Sequence, residues 1–132
     1  MVACGVLLAL MIGGVLVSIV AGWPAQFGGS GDPDQVGAEF FTRGTALAPP
    51  FVPLLLFAIF IVVARRTDRW GTAAVVGLIL LSVVFIVGSL GEAFAAPTPD
   101  VPRAALIGSG IAGAIASAAV LVTGVALLRN ND

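Results

Sequence analysis

Histidine, lysine and tyrosine are missing from this chain, and cysteine occurs once, as Cys4. Each absence removes a chemistry. Without His there is no histidine base, no His-ligated metal or haem, and no imidazole switch near neutral pH. Without Lys there is no Schiff base. A single Cys excludes an internal disulfide and any Cys-x-x-Cys redox pair. Charge is scarce as well, at 10% of residues against roughly 25% in an ordinary soluble domain. Net charge is −1, so no basic surface points to nucleic acid, which is not an expected partner.

What is present is apolar. Hydrophobic residues make up 59% of 132 positions, with a mean hydropathy of +1.13. So short a chain has too much surface to hide that much apolar side chain from water. Its solvent is lipid, and disorder is excluded by the same figures. The thirteen charges are also segregated. Four stretches contain none: Val2–Ala21, Ala46–Ala64, Thr72–Gly91 and Ala104–Leu128. A bilayer core of roughly 30 Å needs about 20 helical residues, and backbone in lipid must pair within its own segment. Barrel strands would alternate apolar and polar, and these runs do not.

The expected fold is therefore an all-α membrane protein. It is a single domain, 1–132, built as a four-transmembrane-helix bundle. The spans are 2–21, 46–64, 72–91 and 104–128. They are joined by an outer loop 22–45, an inner loop 65–71 and an outer loop 92–103, with a tail at 129–132. Val20 and Gly22 suit a signal-peptide cleavage site, but no basic residue precedes the first run and 20 residues is long for a signal core. Trp23 and Trp70 suit the headgroup belt. Pro49, Pro50 and Pro53 are expected in the first turn of the second span, Thr72 as the N-cap of the third, and Pro97, Pro99 and Pro102 as a stiff loop before the fourth.

Orientation follows from arginine. The short loop 65–71 carries Arg65, Arg66 and Arg69, and the tail carries Arg129. The opposite side has Arg43 and Arg103 among five carboxylates. The positive-inside rule then puts both termini in the cytoplasm, in a multi-pass protein of the plasma (inner) membrane. The first outer loop opens on the flexible run Gly28–Gly31. Asp32, Pro33 and Gln35 then spell a helix start, predicting a short amphipathic surface helix over Pro33–Thr42.

No ionisable residue interrupts a span, so the usual mark of ion-coupled transport is absent. Glu92 comes nearest, about 30 Å along the third span from Thr72 and so at the outer interface. It is expected as a helix-end carboxylate paired with Arg103, or as a contact in an outer vestibule. Ser82 and Ser117 are expected at similar mid-membrane depth. They bond across the helix pair or back to the carbonyls of Leu78 and Gly113.

Small residues form the remaining pattern. Gly5, Ala9, Gly13 and Gly14 line the first span, and Ser109, Gly113 and Ser117 the fourth, so these two are expected to pack closely with each other or with partners. The second span, with Phe51, Phe57 and Phe60, is expected to turn a bulky side to lipid. Gly108, Gly110 and Gly113 have a dinucleotide-motif spelling, but no strand precedes them. No catalytic group, cofactor or metal ligand is expected. The functional expectation is a non-enzymatic structural or accessory subunit acting through helix contacts in the bilayer, as a homo-oligomer or beside a larger membrane protein. The alternative is a small oligomeric channel or carrier with a vestibule near Glu92.

Overall fold

A computed structural model describes residues 1–26, 31–95 and 99–129. Gly28, Gly29, Ser30 and Pro97 lie outside the described residues. Helix α1 spans Val2–Ala21, a 3₁₀ turn Pro33–Gln35, α2 Val36–Glu39, α3 Phe51–Val63, α4 Arg69–Ala93 and α5 Arg103–Arg129. Three helices, α1, α4 and α5, are long and apolar enough to cross a membrane. Between 22% and 28% of their most apolar windows is buried inside the protein. Leu80 on α4 is 63% exposed and Val20 on α1 is 89% exposed. Surfaces of that kind need lipid as their solvent.

The second run departs from expectation. Its helix has 13 residues, about 20 Å, which is shorter than a bilayer core. Prolines explain the loss. Pro50 and Pro53 have no amide hydrogen to give the carbonyls four residues back, Ala46 and Pro49. A proline also drives the residue before it out of the helical region. Pro50 itself is extended, with φ −55° and ψ 157°, and the helix starts at Phe51. Of the three prolines, only Pro53 lies in the first turn.

The other termini show their chemistry plainly. Gly22 closes α1 in the left-handed region, φ 66°, and the Trp23 amide donates to Ser18 O at 2.8 Å. That pairing is a Schellman closure. Helix α4 starts earlier than Thr72 because Asp68 is the cap. Its carboxylate accepts from the amides of Trp70 (3.1 Å) and Gly71 (3.2 Å) and is gripped by Arg66 at 2.6 Å. The Arg66 hydrogen bond, helped by those amides, holds the Asp68 carboxyl below its ordinary value. In the first long loop, Asp32 caps as read and accepts from the Asp34 amide. The helix it starts is brief, since Gly37 weakens it and a turn follows Glu39.

Helix α4 packs most closely on α5. α1 lies against α5 and α3, and α3 against α4. The main core joins Cys4, Leu7 and Met11 of α1 with Phe57, Leu78, Phe85 and Val120. Phe57 is fully buried and meets Phe85 edge-on, centroids 5.5 Å apart. It does not face lipid, because its ring fills the crossing of α3 and α4. Phe51 meets the rings of Phe40 and Phe41 at 5.9 and 5.2 Å. Met1, Ala64 and Leu127 border one small void, so the start of α1, the end of α3 and the end of α5 share one end of the bundle.

Candidate functional site

The opposite end is built differently. Where a helical first turn or two of α3 would stand, the chain runs as Ala46–Pro50, extended and turning. Gly44, at φ 88°, starts this run. Thr45 then bridges to Pro24 and to Ala48, and the Ala46 amide donates to Trp23 O at 3.3 Å. Ala46, Val101 and Leu106 form a second core against Trp23 and Leu47. The segment sits deep. A Cβ added at Gly14 would lie 2.5 Å from the Leu47 carbonyl oxygen. Gly14 is seven residues before the end of α1, which puts Leu47 about 10 Å below that end.

Irregular backbone at such depth is stable only when buried in protein or lining a cavity. Here a cavity of about 450 Å³ adjoins it. That is within the size range of small-molecule pockets, roughly 300–1,000 Å³. One wall is the segment Ala46–Pro50 with Pro53. The facing wall is α4 from Val83 to Glu92, and α5 adds Ser109 and Gly110. Met11 and Val83, each ten residues before the end of its helix, mark its deepest level, and the buried Phe85 ring also lines it. Val83, Val84 and Val87 border the space while 46%, 57% and 58% exposed, so it opens sideways between α3 and α4.

Among the described residues four polar side chains line it: Arg43, Ser89, Glu92 and Ser109. The Glu92 carboxylate accepts from the Gln26 amide at 3.0 and 3.3 Å. Gln26 is itself buried, its side-chain amide donating to Pro24 O at 2.8 Å. Arg43 pairs with Glu39 at 3.7 Å across one helical turn. Ser109 donates to Ala105 O at 2.7 Å. Gly88 leaves open space where a Cβ would be, whereas a Cβ at Gly110 would meet Ser89 O at 2.5 Å.

The residues singled out from sequence are distributed unevenly around this site. Glu92 lines the cavity. Arg103 is exposed, and among the described residues no ion pair joins the two. Proximity in sequence suggested that pair, yet Glu92 meets Gln26 at a separation of 66 residues. Ser82 is buried and donates to its own Leu78 O at 2.7 Å. Ser117 is equally buried, and its hydroxyl has no hydrogen-bond partner among the described residues, so the two serines are not bonded to each other.

The small residues of α5 do meet α4, where Gly113 faces the Ser89 hydroxyl. Those of α1 divide. Gly14 admits Leu47, while Gly5 and Gly13 have nothing within 4 Å of an added Cβ, and Ala9 is exposed. The packing side of α1 is instead Cys4, Leu7, Met11, Val15 and Ser18. Gln26 and Arg43 were not legible as site residues, since each is a lone polar residue in a polar loop. The proline cluster is the one local signal that marked the wall. Among the described residues no group of three His, Cys, Asp or Glu side chains is placed to hold a metal. No protein-family model matches the chain, and no curated protein or solved structure is significantly similar to it.

Proposed function

We propose that this chain is a non-enzymatic, multi-pass protein of the plasma membrane that binds a small lipid-soluble molecule in the cavity beside Glu92. The observation that carries the reading is the replacement of helix by Ala46–Pro50 along a cavity of about 450 Å³. In this reading all four apolar runs cross. Helix α3 supplies about 20 Å, and the three residues Ala48–Pro50 that follow the Thr45–Ala48 turn, at about 3.3 Å each, supply about 10 Å more, the rest of a 30 Å core. The arginine distribution puts both termini inside and the Glu92 end outside. The cavity is then an outer-leaflet pocket reached from the bilayer. Beneath it Phe57 and Phe85 close the bundle, which favours binding over conduction.

The direct test is a photoreactive apolar probe in membranes containing the full chain. Labelling concentrated on Val83–Gly88 and Ala46–Pro53 is expected. Uniform labelling of all lipid-facing surfaces overturns the pocket. For topology, Cys4→Ala carrying Gln35→Cys should react with an impermeant maleimide from outside. The same background with Thr67→Cys should react only after permeabilisation. Equal reaction of both from one side removes the four-span arrangement.

A second reading, an accessory subunit acting through helix contacts, draws on the outward position of Gly5, Ala9 and Gly13. Small residues allow close helix approach in lipid. Crosslinking through Ala9→Cys in native membranes should then yield one discrete adduct, with itself or with a partner. A purely monomeric product counts against it.

A further inference from the structure

Away from the cavity, the arginine-rich end of the bundle carries charge where a lipid-facing helix side begins. We infer that this end holds an anionic phospholipid of the adjoining leaflet, its phosphate on the Arg69 guanidinium and an acyl chain along Ala73, Val76 and Leu80 of α4. The site lies at the opposite end from the outer pocket and does not depend on it.

Three observations carry it. First, Arg69 heads a lipid-facing stripe. Residues 69, 73, 76 and 80 follow helical spacing and share one side of α4. Arg69 and Ala73 are exposed, and Val76 and Leu80 are 41% and 63% exposed. The eleven residues from Arg69 to Leu80 rise about 17 Å, close to one leaflet's half of a roughly 30 Å core. Second, the guanidinium is positioned at the interface. Its central carbon lies 5.6 Å from the centroid of the Trp70 ring. That indole is exposed and belongs at headgroup depth. A ring attracts a cation through its quadrupole and leaves the charge unneutralised. The backbone there is pinned as well. A Cβ added at Gly71 would overlap the Arg66 carbonyl oxygen, so the loop is pressed against the start of α4.

Third, this end has a surplus of positive charge. Asp68 is engaged by Arg66 at 2.6 Å and by the two amides it caps. Among the described residues no carboxylate pairs with Arg65, Arg69 or Arg129, and Asp132 lies outside them. Arg65 follows the exposed Ile59 and Val62 of α3 at three-residue spacing, adding a second cation at the lipid boundary. A guanidinium fork takes phosphate in two parallel bonds. A zwitterionic phospholipid offers the same phosphate, but its ammonium is repelled by the surplus, so a net-anionic head is the better complement.

The experiment is native mass spectrometry of the full chain in a neutral sugar detergent. It is titrated with phosphatidylglycerol, with phosphatidylcholine of the same chains, or with glycerol phosphate, which has the anionic head and no tail. Phosphatidylglycerol is expected to bind tightest, and glycerol phosphate at equal concentration should not displace it. Arg69→Gln and Arg65→Gln should each weaken phosphatidylglycerol about fivefold and leave phosphatidylcholine unchanged. Arg103→Gln removes the same charge at the other end and should change neither lipid. Far-UV circular dichroism verifies each fold, and Arg65→Gln, outside every helix, carries the test if Arg69→Gln loses helix. Equal binding of the two lipids in the parent chain overturns the inference, as does unchanged phosphatidylglycerol binding in a folded Arg69→Gln. A loss as large in Arg103→Gln means the charge acts without a site. Displacement by glycerol phosphate means the arginines bind phosphate without the lipid chain.

Discussion

The two ends of this bundle are made from the same apolar residues and are filled differently. At the Met1 end, Cys4, Leu7, Leu78 and Val120 close around Phe57 and leave a void of about 10 Å³, room for no more than one water molecule. At the Glu92 end, α1, α4 and α5 continue, but α3 has already given way to Ala46–Pro50, and a cavity of about 450 Å³ remains. Where four helices run side by side, side chains interdigitate and seal. Where three helices meet an extended segment, the narrower wall cannot fill the groove. A cluster of three prolines thus accompanies the change from a sealed bundle to one with a pocket, with no charged residue inside any of the four apolar runs.

That contrast can be broken from either side. The largest effect is expected from Phe57→Ala, which removes the fully buried ring at the sealed end. A loss of about 3–5 kcal/mol is expected from the vacated volume. Thermal unfolding of the purified chain checks it, and an unchanged midpoint means the seal is not tight there. Next comes Gly14→Ala. Its methyl group would press on the Leu47 carbonyl, and overpacking of this kind costs about 1–3 kcal/mol. It should also raise the hydrogen exchange of the Ala46 amide, whose bond to Trp23 O holds the wall. Unchanged exchange would show that the segment is not wedged against α1.

Ser82→Ala should matter less, by about 0.6 kcal/mol at most, because the hydroxyl serves only its own helix. A larger loss would reveal a cross-helix role. The smallest effect is at the arginine-rich end. Asp68 is held below its ordinary value by Arg66 and by the amides it caps. A depressed carboxyl stabilises the fold above its unfolded value, and that contribution disappears as pH falls through the lowered one. The protection of the Trp70 and Gly71 amides, taken relative to their intrinsic exchange at each pH, should therefore fall in acid and be constant near neutrality. The Asp68→Asn variant should lose that acid dependence.

How far the site could be read from sequence varies residue by residue. Glu92 was legible because charge beside a long apolar run marks the end of a span. Thr72 is the first hydroxyl of the uncharged run, but Asp68, just outside that run, supplies the better acceptor and takes the cap. Pro49, Pro50 and Pro53 are plain in the sequence, but spacing alone does not distinguish prolines inside a first turn from prolines that delay the helix to Phe51. Gln26 was invisible, since its partner is 66 residues away.

Composition and charge segregation by themselves determined that lipid is the solvent and helix the secondary structure. Both follow from free energies that act on each residue separately: apolar transfer, and the cost of an unpaired peptide group in hydrocarbon. They could not determine which side of a helix turns inward. A helix that is apolar all round has no polar face to direct it, and lipid is as apolar as a neighbouring helix. Side-chain shape made that choice. It turned Leu7 and Met11 of α1 inward and Gly5 and Ala9 outward, and set Phe57 in the core. The pocket is a product of the same choice, because it exists only where helices of unequal length are packed together.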